Sequence, residues 1–184
     1  GLHQALEAKE KIDIQVENAI QVIKDSLIDP SKGLPEEIFQ LISGLTPMVN
    51  VDLLIQNRTL GTLLTWRPRG NYEAGWHIPG GIIRVKEHFD QRLRKVALSE
   101  LGVSARFDSQ PVAIKQMIHP TATSRIHFVS FLYRTTLDDE PNPKLRYVSG
   151  TPKDGQWFWH AKIPPNIYES QRAYCEYIND YQHE

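Results

Sequence analysis

Cysteine is all but missing from this chain: Cys175 stands alone among 184 residues. A single cysteine closes no internal disulfide, and no Cys/His cluster has the spacing of a zinc site. No run of 18 apolar residues occurs and the amino terminus lacks a signal-peptide profile, so no membrane partner is expected. Together these absences point to the reducing cytoplasm. Basic excess is lacking too. With 21 Lys and Arg against 22 Asp and Glu, the formal net charge is −1. Nucleic-acid backbones are gripped by displacing counterions with such an excess. The expected ligand is therefore a small molecule held by a few local charges, not nucleic acid. Internal repeats and low-complexity tracts are also absent.

What remains is enough apolar residue for one substantial core. Residues 5–28 predict a helix, with Ile12, Val16, Ile20, Ile23 and Leu27 recurring at three- and four-residue steps and Asp29-Pro30 ending it. Its stripe is suited to packing on its own domain or on a second copy in a homodimer. Residues 35–43 predict a second helix, begun by Pro35 with Glu36 and Glu37 in its first turn. Residues 1–45 thus form an amino-terminal helical extension, and residues 46–184 the main domain.

In the main domain, residues 49–55 and 60–66 predict a hairpin. A short strand over 75–78 runs into the glycine turn Pro79-Gly80-Gly81. A helix follows over 89–101, stopped by Gly102. Strands are expected at 112–118, 126–133 and 156–159, a long loop at 137–152, and a closing helix at 165–181. The fold class is α+β with a mixed sheet.

The chemistry concentrates in residues 80–103. A glycine turn facing a helix frames a hard cation, which the Gly80 carbonyl and the Glu100 carboxylate would share. Mg²⁺ takes one or two carboxylates and completes its shell with water and substrate phosphate. Glu87, just before the helix, is placed to pair with Lys95. Elsewhere, Asp52 lies in an apolar strand, where a carboxylate is costly unless it has a partner or a role.

This segment resembles the Nudix box, Gly-x5-Glu-x7-Arg-Glu-(apolar)-x-Glu-Glu-x-Gly-(apolar). Gly81, Glu87, Ala97, Glu100, Gly102 and Val103 stand in register. Lys95 occupies the arginine position, and Val96 and Ser99 replace two of the three clustered glutamates, so the box is degenerate. The GDP-mannose mannosyl hydrolase branch has a similarly thinned box, and the strands around Asp52, Arg67 and His127 resemble its strands. So does the Gln171-Arg172-Ala173-Tyr174 stretch resemble its carboxy-terminal helix.

That resemblance, which covers about residues 46–180, implies a Nudix-type α/β/α sandwich and a hydrolase of a nucleoside diphosphate linked to another group, such as a nucleotide sugar. It implies Mg²⁺, with Mn²⁺ as a substitute, on Gly80 and Glu100. Arg67 would contact the diphosphate and Asp52 would lie near the substrate. The branch's loop histidine is missing from residues 149–155, and Asp154 is the nearest candidate base. The alternative is a Nudix-fold module that binds or senses a nucleotide ligand without cleaving it.

Overall fold

A computed structural model describes residues 1–180. Helix α1 (Leu2–Ser26) is about 37 Å long at 1.5 Å per residue, and none of its residues is buried. Its apolar stripe does not cover its own domain; Ile12, Val16 and Ile20 all face out. Among the described residues no helix is long and apolar enough to cross a membrane.

Helix α2 (Glu36–Ser43) behaves differently. It packs on the main domain through Ser43, whose hydroxyl accepts the Arg125 N–H at 2.9 Å, and through Phe39, which lies under the Arg125 guanidinium at 5.2 Å.

The sheet is organised by β1 (Met48–Asn57) and β7 (His127–Leu137), which run parallel from Met48↔Phe128 to Ile55↔Thr135. Strand β2 (Gly61–Arg67) continues the hairpin from β1 and carries β3 (Gly75–His77) along residues 65–67. Residues 62–65 of β2 also pair with β8 (Trp157–His160). Strand β4 (Gly80–Ile82) pairs antiparallel with β1 over Asn50–Asp52. Strands β5 (Ala105–Phe107) and β6 (Ala113–Ile118) both add to β7. The sheet is mixed, as the pattern predicts.

Side chains alternate along β1 because successive Cβ atoms point to opposite faces. Val51, Leu53 and Ile55 face one core, built with α3 (Phe89–Val96) through Leu93 and Val96. Leu54 faces the other core, shared with Ile167, Tyr174 and Ile178 of the carboxy-terminal segment. These layers make an α/β/α sandwich.

Three expectations need correction. The glycine pair does not form a turn: Gly80–Ile82 is a strand, and neither Gly80 nor Gly81 has a positive φ. Helix α3 does not continue regularly to Leu101; its last turn, Ala97–Leu101, opens into a π-helix before Gly102 stops it at φ 71°. The closing helix is mostly not α-helical. Residues 164–168 run along β3, Glu169–Tyr174 is a 3₁₀-helix, and only Cys175–Ile178 forms a helix, α4. Tyr181, the expected end of that helix, lies outside the described residues.

The turn before α3 is held by Glu87. Its carboxylate accepts from Arg92 at 2.7 and 2.9 Å and from Lys95 at 3.2 Å. Pairing with Lys95 was expected, but the bidentate partner is Arg92. Burial alone would raise the Glu87 carboxyl, yet hydrogen bonds from Arg92, Lys95 and the Arg84 N–H carry it down to about 2. A depressed carboxyl stabilises the fold above its unfolded pKa of 4.5 and loses that contribution as pH falls toward 2. Glu87→Gln is expected to lower unfolding free energy by about 2 kcal/mol at neutral pH. Urea titrations from pH 7 to pH 3 should show the gap between the two proteins narrowing; a constant gap contradicts the assignment.

Candidate functional site

The site is built around Asp52, on the β1 face opposite Val51 and Leu53. It is 4% exposed. Its Oδ2 accepts from the Tyr174 hydroxyl at 2.7 Å and its Oδ1 from the Asn50 amide at 2.7 Å. Burial pushes the carboxyl up to about 7, against those two hydrogen bonds and the nearby Arg67 charge.

Gly80 is paired with Asp52 in the β1–β4 register. A Cβ there would run into the Asp52 carboxylate and come within 2.6 Å of the Val51 carbonyl oxygen. At Gly81 a Cβ would sit 3.0 Å from Val96 Cγ2 and 3.1 Å from Arg92 Cδ. Both glycines are therefore required by close approach rather than by φ. Leu53 N–H donates to the Pro79 carbonyl and Ile83 N–H to the Val49 carbonyl. In an antiparallel ladder this makes Val51–Gly81 the bonded pair between them and turns the Gly80 carbonyl away from β1.

Glu100 lies in the π-helical turn, a local widening that often accompanies functional sites. Its carboxyl is pushed up to about 7 by burial first, then by the charges of Asp52 and Asp154, with Arg67 opposing. Asp154 is brought close because the loop ahead of β8 folds against β2, where Gly155 N–H donates to the Trp66 carbonyl at 3.0 Å. It is exposed at the rim. Asp52, Arg67, Gly80, Glu100 and Asp154 all line a single cleft of about 1140 Å³. Five positions drawn from separate segments thus converge on one place.

The cleft also holds residues that the sequence did not single out. Arg84 and Arg125 line it, as do Tyr72 and Tyr168. The Arg67 guanidinium lies over the Tyr168 ring at 4.8 Å. His77 is a cleft residue whose Nδ1 bonds to the Thr65 carbonyl at 2.8 Å. Burial pushes it down to about 4, so it is neutral at pH 7 and its Nδ1 is the donor. His127 pairs with the Gln116 amide at 2.9 Å, a structural arrangement. Trp76 is core, set edge-on to Trp66 at 5.3 Å.

The carboxy-terminal stretch matters more than its expected helix suggested. Gln171 accepts the Ile78 N–H at 3.0 Å and Tyr174 holds Asp52, so the segment buttresses both β1 and the approach to β4. Among the described residues no three His, Cys, Asp or Glu side chains converge to chelate a metal. The donors available are oxygens: the Glu100 carboxylate, the Gly80 carbonyl and the carboxylates around them. That set suits a hard cation completing its shell with water and phosphate.

No protein-family model matches the chain. It is similar to the low-salt glycan biosynthesis protein Agl8 of Haloferax volcanii, with 28% identity over 114 residues, 60% of this chain and 72% of that one. Among solved structures it is similar to a MutT Nudix hydrolase from Burkholderia pseudomallei, with TM-score 0.53 and 23% identity over 71% of this chain and 97% of that one. A Nudix-family hydrolase from Clostridium perfringens matches with TM-score 0.54 and 15% identity over 75% of this chain and 99% of that one. The chain has the Nudix hydrolase fold.

Gly80→Ala is expected to lower stability by about 1–3 kcal/mol through overpacking against Asp52. The companion Gly80→Ala/Asp52→Ala should recover part of that loss in a double-mutant cycle; strict additivity would contradict the contact.

Proposed function

We propose that the protein is a divalent-metal-dependent hydrolase acting on a nucleoside diphosphate linked to another group, with nucleotide sugars as the substrate class. The observation that carries this reading is the meeting of Glu100, Asp52 and Asp154 with Arg67 beside the Gly80 carbonyl, in one cleft of the Nudix fold. Carboxylates at the floor and guanidinium groups along the walls complement a cation bound together with a diphosphate.

Glu100 and the Gly80 carbonyl would hold the ion, Mg²⁺ by preference or Mn²⁺ in its place. Such an ion supplies charge neutralisation at the diphosphate oxygens. Arg67 binds the diphosphate and offsets the negative charge that remains on it as it leaves. Tyr168 beneath the guanidinium limits where Arg67 can reach. Asp52 shapes the wall next to Gly80 and contacts the substrate side of the cleft. Asp154, exposed at the rim, accepts the proton of the attacking water. Asp154 is open to solvent and to an incoming water, whereas His77 is tied to the Thr65 carbonyl through Nδ1.

A second reading, a nucleotide-binding module without turnover, is favoured by one observation. Ser99 rather than a carboxylate stands next to Glu100 in the cleft, and no chelating trio occurs among the described residues.

Purified protein with Mg²⁺, offered a panel of nucleotide sugars and dinucleotides, is expected to release a nucleotide product detectable by chromatography, and EDTA should stop it. Glu100→Gln should lower kcat/KM by about tenfold or more. Asp154→Asn should lower kcat by about 100-fold with little change in KM. Saturable ligand binding with no product from any compound would select the binding-module reading.

A further inference from the structure

Several arginines line the cleft, and one of them, Arg125, is held in place by two segments that lie far apart in sequence. Arg125 has a positive φ of 52°. Its N–H donates to Ser43 Oγ of α2 at 2.9 Å, and its carbonyl accepts from the Asn71 amide of the β2–β3 loop at 3.2 Å. The same Asn71 amide holds the Ser124 carbonyl at 3.0 Å. Ser43 is fully buried. The guanidinium lies over Phe39, which aims it along the cleft wall. A residue fixed at both backbone ends in a left-handed conformation is not an ordinary surface arginine.

Among the other arginines along the cleft, Arg92 is bound to Glu87 and Arg69 to Glu73, while Arg84 lies beside Gly33 and, among the described residues, has no carboxylate within ion-pair distance. Neither Arg67 nor Arg125 has a carboxylate within ion-pair distance among the described residues. Arg67 ends β2 and the Arg125 carbonyl is bonded to Asn71 in the loop that follows it, and burial together with the Arg67 charge disfavours the charged form of Arg125. Their positions along the cleft also differ. Arg67 acts on Asp52 and Glu100, whereas the charges felt by Arg125 are those of Arg67, Glu36 and Tyr168.

We propose that Arg125, with Arg67, forms a seat for a second anionic group, so that the group linked to the nucleoside diphosphate carries its own carboxylate or phosphate. This rests on the cleft being the substrate site, as proposed above. The diphosphate lies at the floor with Arg67, and the second charge lies farther out, between Arg67 and Arg125. Two unpaired guanidinium groups held close together repel, and an anion between them reverses the sign of that interaction. The seat makes α2, outside the expected main domain, part of substrate selection through Ser43 and Phe39.

The test is a set of matched pairs bound to the full chain with Ca²⁺, ligand integrity being checked by chromatography. UDP-glucose is compared with UDP-glucuronate and GDP-mannose with GDP-mannuronate for a carboxylate. The nucleoside diphosphates of all four bases are compared with their triphosphates for a phosphate. In at least one pair the member with the extra charge is expected to bind tenfold or more tightly, and which pair does so identifies the anion. Arg125→Gln should remove that difference, and Arg125→Lys should restore part of it. Equal affinity within every pair, binding of no ligand, or equal weakening of both members by Arg125→Gln would overturn the seat. Turnover is read separately. Charge preference without hydrolysis keeps the seat and removes the hydrolase reading, and hydrolysis without charge preference does the reverse.

Discussion

A buried carboxylate in the central strand is the constraint to which the rest of the molecule answers. The buried stretch of β1, Val51 to Ile55, is apolar except at Asp52, and a carboxylate in such a place is costly without partners. Asn50 from the same strand and Tyr174 from the far end of the chain supply the hydrogen bonds. Gly80 supplies the space, since any side chain there would displace the carboxylate. The course of the carboxy-terminal segment follows from this. To bring Tyr174 to β1, the chain first runs along β3, where Trp76 N–H donates to the Asn166 carbonyl and Tyr168 N–H to the Trp76 carbonyl. An uninterrupted helix from residue 165 could not make those strand-like bonds. Pro164 and Pro165 open this stretch with a turn, in which the Pro164 carbonyl accepts the Ile167 N–H at 3.2 Å.

Features set by local pattern were legible in the sequence. The alternation of β1, the αL stop at Gly102 and the spacing of Gly81 and Glu87 from Glu100 all depend on near neighbours, so the sequence pattern carries them. The convergence of Asp52, Arg67, Glu100 and Asp154 was anticipated only through resemblance. What escaped reading depends on packing between distant segments. Two glycines in a row look like a turn, but here they are strand residues thinned to fit under Asp52 and against Val96. Strand β5 has three residues, too few to show a period. Arg92 rather than Lys95 is the main partner of Glu87, because the choice depends on how α3 faces its own turn. Arg125 has no signature in the sequence. Its importance comes from Ser43 and Asn71, respectively 82 and 54 residues away.

The two positions where the sequence departs from the box it resembles, Val96 and Ser99, have different physical standing. Val96 is 3% exposed and packs in the core shared by Val51, Leu93 and Leu101, close to Gly81. A glutamate at that position would have to place its charge in the core or push α3 away from β4. Valine there is bound up with the packing of the helix against the glycine strand. Ser99, by contrast, is exposed in the cleft lining. The difference at 99 is thus a difference in charge rather than in packing. With Glu100 already pushed up by burial and by Asp52 and Asp154, another carboxylate beside it would add repulsion that only a further cation could offset. Under the proposed function, serine at 99 would keep the floor within what one divalent ion and Arg67 could balance. Val96, Ser99 and the carboxylate of Asp52 then belong to one electrostatic arrangement, in which negative charge is limited at the floor while positive charge extends along the wall to Arg125.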